Sequence, residues 1–457
     1  MITKRLSLVW FSRFCVMGFL FGSMMQAQAV PSFARQTGMD CVACHTSFPE
    51  LTPFGRDFKL RGYTLGERQW LPFAAMAQLS ITNLSKKYDN AGVKQISRQN
   101  DPQFDSLSLF AAGKLSDYAG MFVQWTYNNN SEQRDDGSIR HHSQLDNTDI
   151  RIVDNHEFWG KDLVFGVSLN NNPTVQDAWN TVPAWGFPYN KPNVPHPGPS
   201  YSTIIDGGLG QQVTGLGGYL WLDRHFYGEL SFYGNADGLF RVFSEGQSAY
   251  RPIQGRNNPY WRLGWNEEWG AHSLMVGTYG LKVDTFQDNV NGTGPTDRFT
   301  DVALDAQYQY ISDPSIFSVQ TTYIHEKQDW RGSLLTCDPI LNPCRNKNDH
   351  LNTFKVKASY LYDRKYGATL GYFSTTGNSD EALYGGVTDV NTGLPVSNKP
   401  DNRGYIAEID YNPRANIRIA LQYTGYTKWD GVSHNIDGNG RSPHDNNTLF
   451  LNTWFAF

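Results

Sequence analysis

Two cysteines and a histidine near the amino terminus have a spacing that supports a specific chemistry. Cys41, Cys44 and His45 form a C-x-x-C-H motif within GMDCVACHTSFPELTPFGR, residues 38–56. In such a motif the two thiols form thioether bonds to the vinyl groups of a haem, and the histidine is the proximal iron ligand. The motif therefore predicts one covalently bound haem c, attached at Cys41 and Cys44 with His45 as an axial ligand.

The first 29 residues have the pattern of a secretory signal peptide. Lys4 and Arg5 form a basic end, the apolar stretch 14–25 follows, and an A-x-A cleavage site ends at Ala29. The apolar stretch is too short for the alternative, a membrane anchor. We therefore expect an exported protein that is cleaved after Ala29, with its mature part in an oxidising compartment.

Two other kinds of site use a C-x-x-C pair, and the remaining sequence disfavours both. A zinc site needs two more ligands at close spacing, whereas Cys337 and Cys344 lie about 300 residues further along the chain. A thioredoxin-like pair needs a βαβ context, which is absent around Cys41. In an exported chain Cys337 and Cys344 are instead predicted to form one loop disulfide, with a pair of free thiols as the alternative.

Charge and composition exclude several classes of function. The formal net charge is -5 and the sequence has no basic block, so we expect no nucleic-acid partner. No apolar stretch after the signal peptide is long enough for a transmembrane helix. The phosphate-binding loop, the dinucleotide fingerprint and the H-E-x-x-H zinc motif are also missing from the sequence.

From Leu71 onward apolar and polar residues alternate. In LVFGVSLN (163–170) and DVALDAQYQY (301–310) every second residue is apolar, and the residues between them, apart from Val164, are small, polar or charged. A period of two predicts strands. One apolar and one polar face is typical of a transmembrane barrel with a wet interior, although a soluble β-sandwich also alternates.

The lengths of the connections favour the barrel over the sandwich. Short connections alternate with long loops rich in Asn, Gly, Asp and Pro, as in outer-membrane barrels with periplasmic turns and external loops. The short ones are 116–118, 156–161, 223–225, 267–271, 312–314, 363–365 and 412–415. With a lone first strand at 72–84 and a lone last strand at 446–457, they predict an all-β, 16-stranded antiparallel transmembrane β-barrel over residues 71–457. The predicted location is the outer membrane of a Gram-negative cell, in contact with its lipid. The longest loop, 172–210, could fold inward or cap the barrel externally.

Residues 30–70 form the predicted monohaem cytochrome c segment. Thr52 and Pro53 begin a short helix, on which Phe54 and Phe58 are predicted to pack on the porphyrin. A segment of about 40 residues rarely folds alone without a staple, and covalent haem still leaves a porphyrin face open to water. We therefore expect this mostly helical segment to plug the periplasmic mouth, where inward-facing barrel side chains complete the haem pocket.

The remaining haem contacts are less determined by the sequence. Met76 begins the first strand and is the candidate sixth ligand, with water or a histidine as the alternative. Arg35 and Arg56 flank the haem region and could pair with the haem propionates through their guanidinium groups, or lie in solvent.

Residues 30–63, VPSFARQTGMDCVACHTSFPELTPFGRDFKLRGY, resemble the fused monohaem cytochrome–porins of the outer membrane. The resemblance rests on ARQTG, C-x-x-C-H and TPFGR, followed directly by a porin-like barrel. The best-known members of this family are the outer-membrane iron oxidases of iron-oxidising bacteria. The resemblance implies an Fe(II):cytochrome c oxidoreductase that takes electrons from extracellular Fe(II) and passes them to a periplasmic c-type cytochrome or similar carrier. It also implies Cys41, Cys44 and His45 as the haem residues.

Two other functions remain open on the sequence. The chain could be a diffusion porin with a structural or sensing haem plug, or a conduit that passes electrons outward to an extracellular acceptor. Acidic interior positions could attract Fe(II), although porin interiors carry such residues in any case. These positions are Glu229, Asp301, Asp305 and Glu408.

Overall fold

The computed structural model describes residues 31–133, 139–194, 196–244, 251–338 and 344–457. The expected signal peptide, residues 1–29, lies outside the described residues. Sixteen strands make up most of the described chain. They are β1 (Phe73–Leu84), β2 (Gln103–Ser116), β3 (Ala119–Gln133), β4 (Ile139–Phe158), β5 (Lys161–Asn170), β6 (Val213–Leu222), β7 (Phe226–Asn235), β8 (Asn258–Trp269), β9 (His272–Asp288), β10 (Thr293–Ser312), β11 (Ser315–Asp329), β12 (Asn348–Tyr362), β13 (Tyr366–Gly377), β14 (Asn402–Arg414), β15 (Ile417–Lys428) and β16 (Thr448–Ala456).

The strands form a single closed barrel. Each strand pairs antiparallel with its neighbours in the chain, and β16 closes the barrel against β1 with Met76 opposite Ala456. The sixteen antiparallel strands that the sequence predicts are therefore confirmed. Tight turns join β2 to β3, β4 to β5 and each later pair in the same manner, so that all seven lie at one end of the barrel. The start of β1 and the end of β16 lie at this same end, which we call the short-turn mouth.

Alternation along each strand separates an outer apolar face from an inner polar face. On β10, Val302 and Leu304 are 46% and 63% exposed, whereas Asp301 and Asp305 are buried. In an antiparallel barrel the residues between inward positions point outward, so the exposed apolar side chains form the outer surface. The core of this protein is consequently the filled interior of the barrel.

Three short helices precede β1 and form the N-terminal segment. They are α1 (Pro31–Thr37), α2 (Cys41–Cys44) and α3 (Pro53–Leu60). Thr52 caps α3 by accepting a hydrogen bond from the Gly55 amide at 3.1 Å, and Pro53 occupies the first turn, as the sequence predicts.

Contacts of the N-terminal segment place it inside the short-turn mouth. Arg61 forms an ion pair with Asp162, which follows the turn between β4 and β5. The Arg364 guanidinium, in the turn between β12 and β13, donates to the Val42 carbonyl oxygen at 3.3 Å. These turns lie on opposite parts of the barrel circumference, so the segment spans the opening.

The connection between β5 and β6 folds into the lumen; we call it the inner loop (residues 171–194 and 196–212). Residues 171–182 are all buried, and Trp179 at 0% exposure lies in a hydrophobic cluster with Trp221 and Tyr227. The inward alternative for this loop is the one adopted, because its backbone finds hydrogen-bonding partners on the barrel wall: the Gln307 and Gln320 side chains donate to the Trp179 carbonyl oxygen.

The remaining helical pieces lie in the long connections. They are α4 (Ser333–Thr336), α5 (Glu381–Tyr384) and the 3-10 turns Pro183–Trp185, Gly238–Phe243 and Pro443–Asn446. Just after α4, Cys337 and Cys344 are joined by a disulfide. Among the described residues, no helix is long and apolar enough to cross a membrane.

Candidate functional site

A cavity of about 310 Å³ lies where the N-terminal segment, the barrel wall and the inner loop meet. The N-terminal segment contributes the C-x-x-C-H residues, the wall contributes inward side chains of β1 to β4, β15 and β16, and the inner loop contributes its 3-10 turn. Principal lining residues are Cys41, Cys44, His45, Phe48, Leu51, Phe58, Met76, Phe110, Phe122, Trp185 and Trp454. Most of these side chains are apolar, which is typical of a pocket for a small organic ligand.

Close packing of α2 against α3 holds the two cysteines at the cavity. The Thr52 amide donates to the Cys44 carbonyl oxygen at 2.9 Å, and the Thr52 hydroxyl donates to the Ala43 carbonyl oxygen. Cys41 is only 4% exposed. Burial, with a smaller contribution from Cys41, raises the pKa of the Cys44 thiol to about 11. A raised thiol pKa disfavours thiol–disulfide exchange, which needs a thiolate.

His45 follows α2 and presents a neutral imidazole to the cavity. Burial lowers the pKa of His45 to about 4, and the nearby backbone of Glu50 and Pro49 only partly offsets this effect. Within the described part of the chain, its Nδ1 atom has no hydrogen-bonding partner of normal geometry. The Phe48 ring lies 4.8 Å from the imidazole, measured between centroids. A neutral imidazole is the form that ligates a metal.

The structure brings several predicted site residues to this cavity and leaves others away from it. Met76 lines the cavity from β1, and Met39 lines it from the loop before α2. Phe58 also lines it, whereas Phe54 does not. The lining stripe therefore consists of Leu51, just before α3, and Gly55, Phe58 and Lys59 of α3, at i, i+4, i+7 and i+8.

Neither arginine proposed from the sequence as a propionate partner lines the cavity. Arg35 is exposed and donates to the Phe73 carbonyl oxygen. Arg56 is 2% exposed and donates to the side chains of Gln307, Gln309 and Ser273 on the far wall. Arg56 thereby fastens α3 to β9 and β10.

Lys59 and Arg418 are instead the lysine and arginine that line the cavity within the described residues. The Arg418 guanidinium forms an ion pair with Glu408 on β14. The Lys59 ammonium donates to the backbone oxygens of Val175 and Asp177 in the inner loop, at 2.7 and 2.8 Å. Burial lowers the pKa of Lys59 to about 7, against smaller contributions of both signs from surrounding charges.

The sequence contains a signal for Lys59, but this signal conflicts with the general expectation that a lysine faces water. Lys59 lies one residue after Phe58 on the same face of α3, and a helical stripe including Gly55 would have identified it. Trp185 and Asn180 belong to the inner loop, whose direction the sequence left open. The Asn180 Oδ1 atom accepts from the Leu51 amide at 3.1 Å, joining the inner loop to the N-terminal segment.

Interior carboxylates have structural partners in the described chain. Asp305 pairs with Arg262 at 2.7 Å, and Asp301 accepts from the Ile205 amide at 3.0 Å. Glu229 accepts from the Gln176 side chain at 2.9 Å. Three of the four acidic positions noted in the sequence therefore hold the inner loop or the residue that anchors it, and Glu408 holds Arg418.

No protein-family model matches the chain, and no curated protein matches it. Among solved structures, the chain is similar to an anion-selective porin from Comamonas acidovorans, with 11% identity, a TM-score of 0.45 and coverage of 84% of this chain and 98% of that one. It is also similar to the outer membrane channel DcaP of Acinetobacter baumannii, with 12% identity, a TM-score of 0.45 and coverage of 84% and 96%. The barrel itself is established independently by its own strand pairing.

Proposed function

We propose that this chain is an outer-membrane c-type cytochrome in which the barrel and the N-terminal segment together enclose one haem. In this proposal it oxidises extracellular Fe(II) and passes the electrons to a periplasmic c-type cytochrome or similar carrier. The observation that carries the proposal is the apolar cavity of about 310 Å³ that has Cys41, Cys44 and His45 on one side and barrel side chains on the other. The choice of Fe(II) as donor follows the resemblance of residues 30–63.

The residues around the cavity fit a covalently attached haem. Two thiols and a half-buried, neutral imidazole lie along one wall, and the imidazole Nδ1 lacks a partner of normal geometry among the described residues. Phe58 and Trp185 offer apolar ring surfaces to a flat ligand. A bound haem c would supply one-electron redox chemistry at this position.

The chain's own side chains would orient such a group and keep water from it. His45 would supply one ligand to the iron, and Met76 lines the cavity from the barrel wall. A thioether ligand on the iron raises the potential of a haem relative to many other ligands. The Trp454 ring N–H donates a hydrogen bond to the Gln78 side-chain oxygen and thereby links β16 to β1 in the cavity wall.

An outer-membrane location follows from the physics of the barrel surface. Exposed apolar side chains such as Val302, Leu304 and Leu370, at 46%, 63% and 67% exposure, would be unfavourable in water and favourable in lipid. All seven tight turns lie at one mouth, and in outer-membrane barrels this mouth faces the periplasm. The haem would then lie near the periplasmic side, within reach of a soluble carrier.

Filling of the lumen favours an electron conduit over a diffusion porin. The N-terminal segment spans the short-turn mouth, and residues 171–182 of the inner loop are buried within the barrel. A diffusion porin needs a continuous aqueous lumen for its solutes. Electrons require no such lumen, because they tunnel between closely spaced groups.

The proposal is tested on protein purified in detergent from cells that attach haem c. Covalent haem is first measured by the pyridine haemochrome spectrum, with the Cys41→Ala/Cys44→Ala double variant as the control that cannot attach haem. Fe(II) is then added to the ferric protein, and reduction is followed in the haem absorption bands. Rapid reduction supports the proposal. Absence of covalent haem rejects the cytochrome, and an unreduced haem together with solute flux through reconstituted vesicles supports a porin instead.

A further inference from the structure

The Lys59 ammonium is the most unusual charged group in the cavity wall. Its residue is 5% exposed, and its Nζ atom lies 4.3 Å from the centroid of the Trp185 ring. Two of its three N–H groups are accounted for by the backbone oxygens of Val175 and Asp177. No carboxylate of the described residues lies within 4.0 Å of it, so it forms no ion pair there.

Carboxylates in the surroundings of Lys59 are already bound by arginines or by neutral hydrogen-bond donors. Asp149 is 2.8 Å from the Arg151 guanidinium, and Asp177 is 2.9 Å from the Arg262 guanidinium. Glu229 is bound by the side chains of Gln176, Tyr227 and Ser231. A buried ammonium without a counter-charge is costly, and proteins usually pair such a group or leave it neutral.

Arg418 differs from Lys59 in this respect, although it lines the same cavity. It is already compensated by Glu408, and Asp410 lies 3.8 Å from the same guanidinium nitrogen. Two carboxylates around one guanidinium make that part of the wall unfavourable for a further anion. Of the two cations, Lys59 is therefore the one that an anionic group on a bound molecule would contact.

We propose that Lys59 is the counter-charge for a carboxylate carried by the molecule in this cavity, namely a propionate of the haem. This inference rests on the proposed function, since it names the chain's own contact to that cofactor. It replaces Arg35 and Arg56 as propionate partners. The same ammonium would couple the propionate to the inner loop through the Val175 and Asp177 oxygens.

An axial-ligand role for Lys59 is less consistent with its contacts. A ligating amine must direct its lone pair at the iron, whereas the two carbonyl oxygens 2.7 and 2.8 Å from Nζ are acceptors suited to an ammonium. The other titratable or charged groups that line the same cavity are Asp40, Cys41, Cys44, His45, Tyr63, Asp146 and Arg418. Their contributions are common to all the variants compared below.

The test compares the haem midpoint potential of the wild-type protein, Lys59→Gln and Lys59→Arg between pH 5 and pH 9. Loss of a positive charge beside the haem favours the ferric form, so Lys59→Gln is expected to lower the midpoint potential and Lys59→Arg to restore it. Without the neighbouring cation the propionate ionises at a higher pH, so the pH-dependent change in midpoint potential should shift to higher pH in Lys59→Gln and in no other variant. Arg68→Gln removes the same charge at an exposed position of the N-terminal segment and is the matched control, expected to leave both quantities unchanged.

Three results separate the possible failures. The first result is a Lys59→Gln variant whose potential and pH dependence are unchanged, while its haem content and its heat-modifiable electrophoretic mobility, which reports a folded barrel, match the wild type. This result overturns the propionate contact and leaves the proposed function standing. Conversion of a low-spin to a high-spin spectrum in Lys59→Gln also overturns it, because it would make Lys59 an axial ligand. Absence of covalent haem in the wild-type protein rejects the proposed function itself, and this inference with it.

Discussion

Gly55 of α3 lies directly on the backbone of Cys44. A Cβ atom at position 55 would lie 2.2 Å from the Cys44 carbonyl oxygen and 3.0 Å from the Cys44 Cα atom. Only a hydrogen atom fits in this space, so the approach of α3 to α2 depends on glycine at this position. The glycine of TPFGR is thereby linked to the C-x-x-C-H motif by contact.

Replacing Gly55 by alanine should therefore separate α3 from α2 and loosen the cavity wall. The contacting atoms belong to the backbone and cannot rotate away, so we expect a cost of about 1–3 kcal/mol in stability, typical of overpacking. Covalent haem per barrel should fall, and proteolysis of the N-terminal segment should become faster. Gly386→Ala is the control, because a Cβ there meets no atom within 4 Å. Equal haem content in the two variants would contradict this account of Gly55.

Met76 and Met39 both line the cavity, so the sixth-ligand prediction can be tested by comparing them. We expect Met76→Ala to abolish a methionine-to-iron charge-transfer band and to lower the midpoint potential, because a thioether ligand raises it. Met39→Ala should leave the band intact, since Met39 is two residues from Cys41 and is poorly placed to reach the other haem face. A band lost in Met39→Ala and kept in Met76→Ala would reverse the assignment.

Arg262 is expected to hold the inner loop inside the barrel. Its guanidinium contacts Asp177 of the inner loop at 2.9 Å and Asp305 of β10 at 2.7 Å, and all three side chains are 0% exposed. Arg262→Leu leaves two buried carboxylates without a cation, a change that costs about 3–5 kcal/mol. We expect displacement of the loop and a measurable single-channel conductance in planar bilayers.

The matched control for this experiment is Arg256→Leu, which removes an exposed ion pair with Asp237. An exposed pair contributes only about 0–1 kcal/mol, so this variant should remain as closed as the wild type. A closed barrel in both variants would show that the inner loop does not depend on Arg262.

The lowered pKa of Lys59 predicts a pH dependence of stability in the haem-free barrel. Burial lowers this pKa from 10.5 to about 7 in the folded chain, whereas the unfolded chain keeps its proton to higher pH. Between these values the unfolded state binds more protons, so stability should rise with pH by at most about 1.4 kcal/mol per unit. Urea unfolding of the Cys41→Ala/Cys44→Ala variant at pH 7 and pH 10 should show the rise, and adding Lys59→Met should remove it. Identical pH profiles with and without Lys59→Met would refute the prediction.

Much of the barrel could be predicted because its signals are local. A period of two defines the strands, and alternation of short and long connections defines both their number and the end at which the chain termini lie. The N-cap at Thr52 and the proline at position 53 likewise define the start of α3. Each of these features depends on residues within a few positions of one another.

The cavity wall was harder to predict because it depends on partners far apart in the sequence. Leu51 contacts Asn180, 129 residues away, and Arg56 contacts Gln309, 253 residues away. No local pattern distinguishes Arg56, which fastens α3 to the wall and pairs with Glu268 at 3.7 Å, from an arginine that binds a haem propionate. Lys59 was missed for a related reason, since its burial is imposed by the inner loop and not by its own helix.

Closure of the barrel has a consequence for the order of assembly. β1 and β16, the first and last strands, form a seam whose residues Met76 and Trp454 line the cavity, and Cys41 is only 4% exposed in the closed barrel. An enzyme that ligates the proposed prosthetic group needs free access to both thiols. Covalent attachment would therefore have to precede insertion into the bilayer, and the polypeptide would reach the insertion machinery with its prosthetic group already attached.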